Sequence, residues 1–261
     1  MTKQQHQKGF TLVELALVMV IIGLLIGGIL KGQQLVTNAR ATSTVSQTRQ
    51  IEAATTTFQD SYGALPGDMN GVGKIPGCTA ACNIPGVVSR NRIIGAPAWD
   101  LVTPQVTTAS TTLDVGAETA LFWYYLAATD MFSGVNGNSP PAASDLVFGN
   151  ALPATKFGGG FLVGNSNGRQ YGVRNPSGSD FFTIKGTVLS LVISPSAPVS
   201  SIHDQLLLTS AVAEQIDRKY DDGKPATGSV QAHGSAGCAD ANEYLTANKS
   251  KNCGLIIGIH R

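Results

Sequence analysis

Residues 8–30 read KGFTLVELALVMVIIGLLIGGIL, the most apolar stretch of the chain, with a single acid, Glu14, close to its start. From Phe10 to Leu30 the run is 21 residues long, about 31 Å as an α-helix, enough to cross a bilayer. A carboxylate inside such a segment costs roughly 2.5–3.5 kcal/mol on insertion scales, so Glu14 reads as a functional residue. Ahead of the run, residues 1–9 are short and polar, with Lys3 and Lys8, the layout of an export signal. The residues behind the run do not suit a removable signal peptide. No clear small-residue cleavage site lies close to its end, and no Pro occurs before Pro66, so the pattern predicts a helix that continues through Tyr62.

Two stripes mark that continuation at about 100° per residue. Leu35, Ala39, Thr42 and Val45 fall on one; Ile51, Ala54, Phe58 and Tyr62 fall roughly opposite. The first suits neighbouring subunits, the second the chain's own globular part, although the many Ala and Thr residues also fit a weakly amphipathic helix with no assigned face. The implied element is a helix of about 50 residues, roughly 75 Å long. Gly23, Gly27, Gly28 and Gly32 each cost roughly 1 kcal/mol relative to Ala in a helix interior. They either allow close helix approach or mark where the helix loosens.

KGFTLVEL, leading directly into the apolar run, resembles the processing motif of prepilins, the precursors of type IV pilins and type II secretion pseudopilins. In that family a membrane peptidase cuts after the Gly and methylates the new terminal amine. The resemblance implies cleavage between Gly9 and Phe10, N-methylation of Phe10, and Glu14 as the acid that neutralises a Phe10 amine and sets subunit register. An unpaired charge in a low-dielectric core is expensive and a paired one tolerable, which is the physical case for that role. Many major pilins carry a Pro in this part of the helix; this sequence has none. YGALPGD, after the predicted helix end, resembles a junction found in a subset of prepilin-like proteins.

The resemblance implies an α+β pilin fold: a leader over 1–9, a long helix over 10–62 whose 10–30 part is membrane or fibre core, and a head over 63–261. It implies as partners identical subunits in a helical filament, the prepilin peptidase, the pilus or secretion assembly machinery, and the inner membrane before assembly. The precursor would reside in the bacterial inner membrane with its head in the periplasm, then pass to an extracellular pilus or a periplasmic pseudopilus. A structural subunit of a type IV pilus-like filament is the leading reading, with a secretion pseudopilin or a minor or tip pilin as alternatives. A membrane-tethered periplasmic enzyme is the third.

Beyond Gly63 the sequence is turn-rich, and the chain as a whole is lightly charged: 13% charged residues, 30 Gly and 12 Pro. A net charge of +1 gives no broad attraction to nucleic acid, and Arg90, Arg92, Arg169 and Arg174 are too sparse for a basic patch, so no specific nucleic-acid partner is expected. Residues 113–134 predict a second helix, capped by Asp114 and ended by Gly134. Its Phe122-Trp123-Tyr124-Tyr125 cluster fits core better than a sugar-stacking surface. Residues 180–195 predict a strand, with Gly186 as turn or bulge. The Gly-rich segment 158–175 reads as loops and a hairpin and lacks the Lys and Ser/Thr of a phosphate-binding loop. A third helix is predicted from Ser201, capped by Ser201 or Asp204 and ended by Asp221-Asp222-Gly223 with Pro225 just beyond, and a last strand over Leu255–Ile259. These elements imply a sheet packed on the second half of the long helix, with inserted helices.

Four cysteines, Cys78, Cys82, Cys238 and Cys253, fit either two disulfides of an oxidising compartment or a loose tetrahedral zinc site. Three pairings are open by sequence. Asp217, Asp221 and Asp222 are a weak calcium candidate, since oxygen ligands on a turn suit that ion. They lack the regular D-x-D-x-D-G spacing, and Arg218, Lys219 and Lys224 stand near enough to pair with them. No cofactor is expected otherwise. His203-Asp204 has no G-x-S-x-G partner element, and His233 near Cys238 is the other isolated pair, so no catalytic residue is assigned.

Overall fold

Helix α1 runs from Leu12 to Tyr62 without interruption in the computed structural model. The structure describes residues 11–78, 82, 92, 94, 118–167, 184–194, 206–234, 237–240 and 242–260. The chain divides into two units, Met1–Arg40 and Ala41–Arg261.

In the first unit, α1 is apolar and uncovered. Leu12, Val13, Leu24 and Leu30 are among its exposed side chains. A Cβ added at Gly23, Gly27, Gly28 or Gly32 would touch nothing within 4 Å, so no neighbour among the described residues requires those glycines.

In the second unit, α1 contributes Ala41, Thr44, Val45, Thr48, Ile51, Ala54, Thr55 and Phe58 to the core. These recur at intervals of three and four residues, the period of one helix face. That face is wider than the predicted stripe: Val45 joins Ile51, Ala54 and Phe58, while Leu35, Ala39 and Thr42 are exposed. Threonine is tolerated on the buried side because its hydroxyl returns to the preceding turn. Thr48 Oγ1 donates to Thr44 O at 3.0 Å and Thr55 Oγ1 to Ile51 O at 2.8 Å.

The helix stops where predicted. Gly63, at φ 67°, donates its N–H to Gln59 O at 2.8 Å, a left-handed C-terminal cap. Residues 64–69 then turn inward and are buried. Gly67 sits at φ 84°, and a Cβ there would collide with the Glu118 carbonyl, so glycine is needed where this junction crosses the start of α2 (Glu118–Ala128).

Helix α2 is buried around its whole circumference from Glu118 to Leu126, as expected for a helix without a polar face. The aromatic cluster is therefore core. Tyr125 Oη donates to Met69 O and Tyr124 Oη to Pro76 O, each at 3.0 Å, pinning the junction to α2. Asp114 lies outside the described residues.

Five strands form one antiparallel sheet: β1 Gly160–Asn167, β2 Lys185–Val192, β3 Leu208–Thr209, β4 Val230–Gly234 and β5 Lys251–His260. β1 pairs with β2, and β2 with β5. Ile256 and Ile257 of β5 pair with β2 and β4 at once, while Cys253 pairs with Leu208 of β3 and Gly234 of β4. One edge of β5 is thus shared end to end by β2 and β3, and the other is taken by β4. This α+β architecture is consistent with the pilin fold.

Two expectations need correction, and one strand was not foreseen. Gly160–Asn167, within the segment read as loops and a hairpin, is a regular eight-residue strand. Val230–Gly234 is a strand that the sequence does not announce, because its Gln and His hide the pattern. Helix α3 spans Ser210–Tyr220, later than predicted, because Leu208–Thr209 is drawn into pairing with β5. Ser201, His203, Asp204 and residues 180–183 lie outside the described residues.

Candidate functional site

The start of α1 is a reciprocal cap. Glu14 N–H donates to Thr11 Oγ1 at 3.3 Å, while Thr11 N–H and Oγ1–H donate to Glu14 Oε2 at 2.9 and 2.8 Å. This is a capping box: Thr11 is the N-cap and Glu14 the third helical residue. The Thr-x-x-Glu spacing was legible in the sequence, and Thr11 is the functional residue that sequence reasoning missed. Glu14 Oε1 makes no hydrogen bond to a described residue. The acid therefore spends one oxygen on its own helix and keeps one for another donor. Gly9 and Phe10 lie outside the described residues.

Behind the cap, α1 contains an 18-residue window of mean hydropathy 2.7, none of it buried. By length and composition this is enough to cross a membrane. Exposed apolar surface on that scale is unfavourable in water at about 25 cal/mol per Å² and marks a membrane or protein contact.

The structure pairs Cys78 with Cys82 and Cys238 with Cys253. Cys82, Cys238 and Cys253 are buried. Sulfurs bound to one another are not thiolate ligands, so the zinc reading fails, and so does a metal pair of His233 with Cys238.

Asp217, Asp221 and Asp222 come together, with one oxygen of each within 4.8 Å of the others. Asp217 is fully buried at the end of α3, where Oδ2 accepts the Tyr244 hydroxyl at 2.8 Å and Oδ1 the Gly223 N–H at 3.2 Å. Burial pushes its carboxyl up to about 7, against the pull of those two donors and with the push of Asp222 and Asp221. Asp221 Oδ2 takes the N–H groups of Ser229 and Val230. Asp222 takes Lys224 N–H and the Thr227 hydroxyl; burial raises its carboxyl, but these donors outweigh it and hold it below its usual value. A cation needs oxygens turned towards it, whereas these accept donors from the turn they close and, at Asp217, from Tyr244. The residues fit a self-capped turn joining α3 to β4, not a calcium site. Arg218 pairs with Glu214 of its own helix rather than with the acids.

The end of α3 is also fastened to α1. Arg49 donates to Lys219 O at 3.2 Å and lies 5.8 Å from the Tyr220 ring centroid, while Tyr220 Oη donates to Glu52 Oε2 at 3.0 Å. This fixes the helix from which Asp217 projects.

Residues 4–30 match the family model described as the prokaryotic N-terminal methylation motif. It is the class III signal sequence of type IV pilins and pseudopilins. The motif supports a pilin-like or pseudopilin precursor, a structural protein whose apolar helix suggests an inner-membrane anchor before assembly. No curated protein and no solved structure gives a significant match to the chain.

Proposed function

We propose that this chain is the structural subunit of a type IV pilus-like filament. It is made as a membrane-anchored precursor, cleaved after Gly9, methylated at Phe10 and polymerised through α1. The domains are then a leader over 1–9, a helix over 10–62 and a head over 63–261. The observation that carries this reading is the methylation motif on an uncovered apolar helical stretch whose acid, Glu14, has one uncommitted oxygen. Cleavage creates an amine at Phe10, one residue before the cap. In the fibre core Glu14 Oε1 accepts that amine from its own chain or a neighbour, and the pair replaces an isolated buried charge that would cost several kcal/mol. Through Oε2 the same side chain caps the start of its own helix.

The apolar face of α1, lost from the bilayer on extraction, is covered by the same face of neighbouring subunits. The described disulfides, Cys78–Cys82 and Cys238–Cys253, suit a head that matures in an oxidising compartment. A pseudopilin of a secretion system shares all of this chemistry and differs in destination.

Replacing Glu14 tests the assembly role. Glu14→Ala and Glu14→Val leave cleavage after Gly9 largely intact and abolish or strongly reduce sheared fibre. Wild-type fibre yield from Glu14→Val cells contradicts it.

A further inference from the structure

The loop between Cys238 and Cys253 is built from self-capped turns. Asp240 Oδ1 accepts the N–H groups of Asn242 and Glu243 at 2.8 and 2.9 Å. Leu245 N–H returns to Cys238 O at 3.0 Å, and Asn248 N–H to Leu245 O at 3.0 Å. The last turn carries Asn248-Lys249-Ser250, which has the form Asn-x-Ser. It is the one such triplet in the chain whose middle residue is not proline, Asn175-Pro176-Ser177 being disqualified on that ground.

Asn248 is half-buried, and Lys249 and Ser250 are exposed. The two ends of the amide are treated differently. Oδ1 accepts the Ser250 N–H at 2.9 Å, whereas Nδ2 has no hydrogen-bond partner among the described residues. Nδ2 stands beside Gly237, at φ 98°, where an added Cβ would collide with it. Glycine is needed there because the amide nitrogen occupies the place a side chain would take. The turn thus engages the oxygen and leaves the nitrogen without a hydrogen bond to a described residue.

We propose that Asn248 is a site of N-linked glycosylation, the acceptor of a sugar from a polyprenyl-pyrophosphate donor. Nδ2 forms the bond to the sugar C1 while the C1–O bond to the pyrophosphate breaks. A base on the transferase takes one Nδ2 proton, and the lipid pyrophosphate leaves with the bonding electrons. The Ser250 hydroxyl is the recognition element two residues on. A sugar on this turn adds a bulky, solubilising group ahead of β5. The assignment rests on the proposed export of the head, since the acceptor must meet its donor outside the cytoplasm.

The test is mass spectrometry of the full chain purified from its own host, at the level of the peptide that holds Asn248. The wild-type peptide is expected to be heavier by one or more sugar residues, attached at Asn248. Asn248→Gln and Ser250→Ala lose the added mass, and Ser250→Thr retains it. A wild-type Asn248 peptide at its unmodified mass overturns the proposal, as does a sugar carried on Ser250 instead. The cysteines in the same spectra separate the two readings. Bridged cysteines beside a bare Asn248 overturn the modification alone, and reduced cysteines beside a bare Asn248 overturn the export of the head as well.

Discussion

Replacing Asp217 by Asn should make the protein more stable at neutral pH, and the gain should vanish in acid. Asp217 is fully buried, and its carboxyl lies at about 7 against an ordinary 3.8. A raised carboxyl keeps its proton in the folded state while the unfolded chain has already lost it. Its contribution is therefore fully present below about pH 4 and is lost as pH rises through about 7. The displacement of about three pKa units corresponds to about 4 kcal/mol at 1.36 kcal/mol per unit. Asparagine keeps an oxygen for the Gly223 N–H or the Tyr244 hydroxyl and never ionises.

The comparison must be made between variant and wild type. Asp222 and Asp240 are held below their usual values and add a slope of opposite sign common to both proteins. The assay is thermal unfolding of the full chain in detergent, monitored by near-ultraviolet circular dichroism between pH 4 and pH 8. The two proteins should melt together at pH 4, and the variant should melt higher at pH 8, by about 10 °C for up to about 4 kcal/mol. Parallel curves across the range, or a variant destabilised at pH 8, would refute the account of a buried carboxyl neutralised by its surroundings.

Opening the later disulfide with Cys238→Ser or Cys253→Ser releases a loop of sequence separation 15. It should cost about 3 kcal/mol in urea titration, with Asn248 and its turn losing protection in hydrogen exchange. Phe58 is fully buried, with ring centroids 4.5 Å from Tyr62 and 6.2 Å from Tyr125; Phe58→Ala should cost about 3–5 kcal/mol by chemical denaturation. A cost below about 1 kcal/mol would mean that α1 is not held in the core by this ring.

The long helix and its terminator were legible because their signals are local. The 3.6-residue period, the absence of Pro and the Gly63-to-Asp68 turn need no tertiary information. The aromatic cluster on α2 was legible as core because four adjacent rings leave no polar face. β4 was not, since Val230–Gly234 is a strand by virtue of its pairing with β5, and pairing partners some twenty residues apart leave no local trace. The start of α3 was hidden for the same reason: Leu208 and Thr209 fit a helix as well as a strand, and β5 decides. At the site, Glu14 stands out as a charge in an apolar run, and that charge masks the plainer signal of its spacing from Thr11. The three acids of the α3 turn were visible as a cluster, yet nothing in their spacing tells that the turn itself and the distant Tyr244 supply their donors.

The central claim is that the apolar helix is an anchor first and a filament core afterwards, processed at a defined bond. Mass spectrometry of material sheared from the cell surface tests it most directly. The account predicts an N-terminal peptide that begins at Phe10 and carries an added methyl group on its amine. Sheared material in which the chain still begins at Met1 contradicts it.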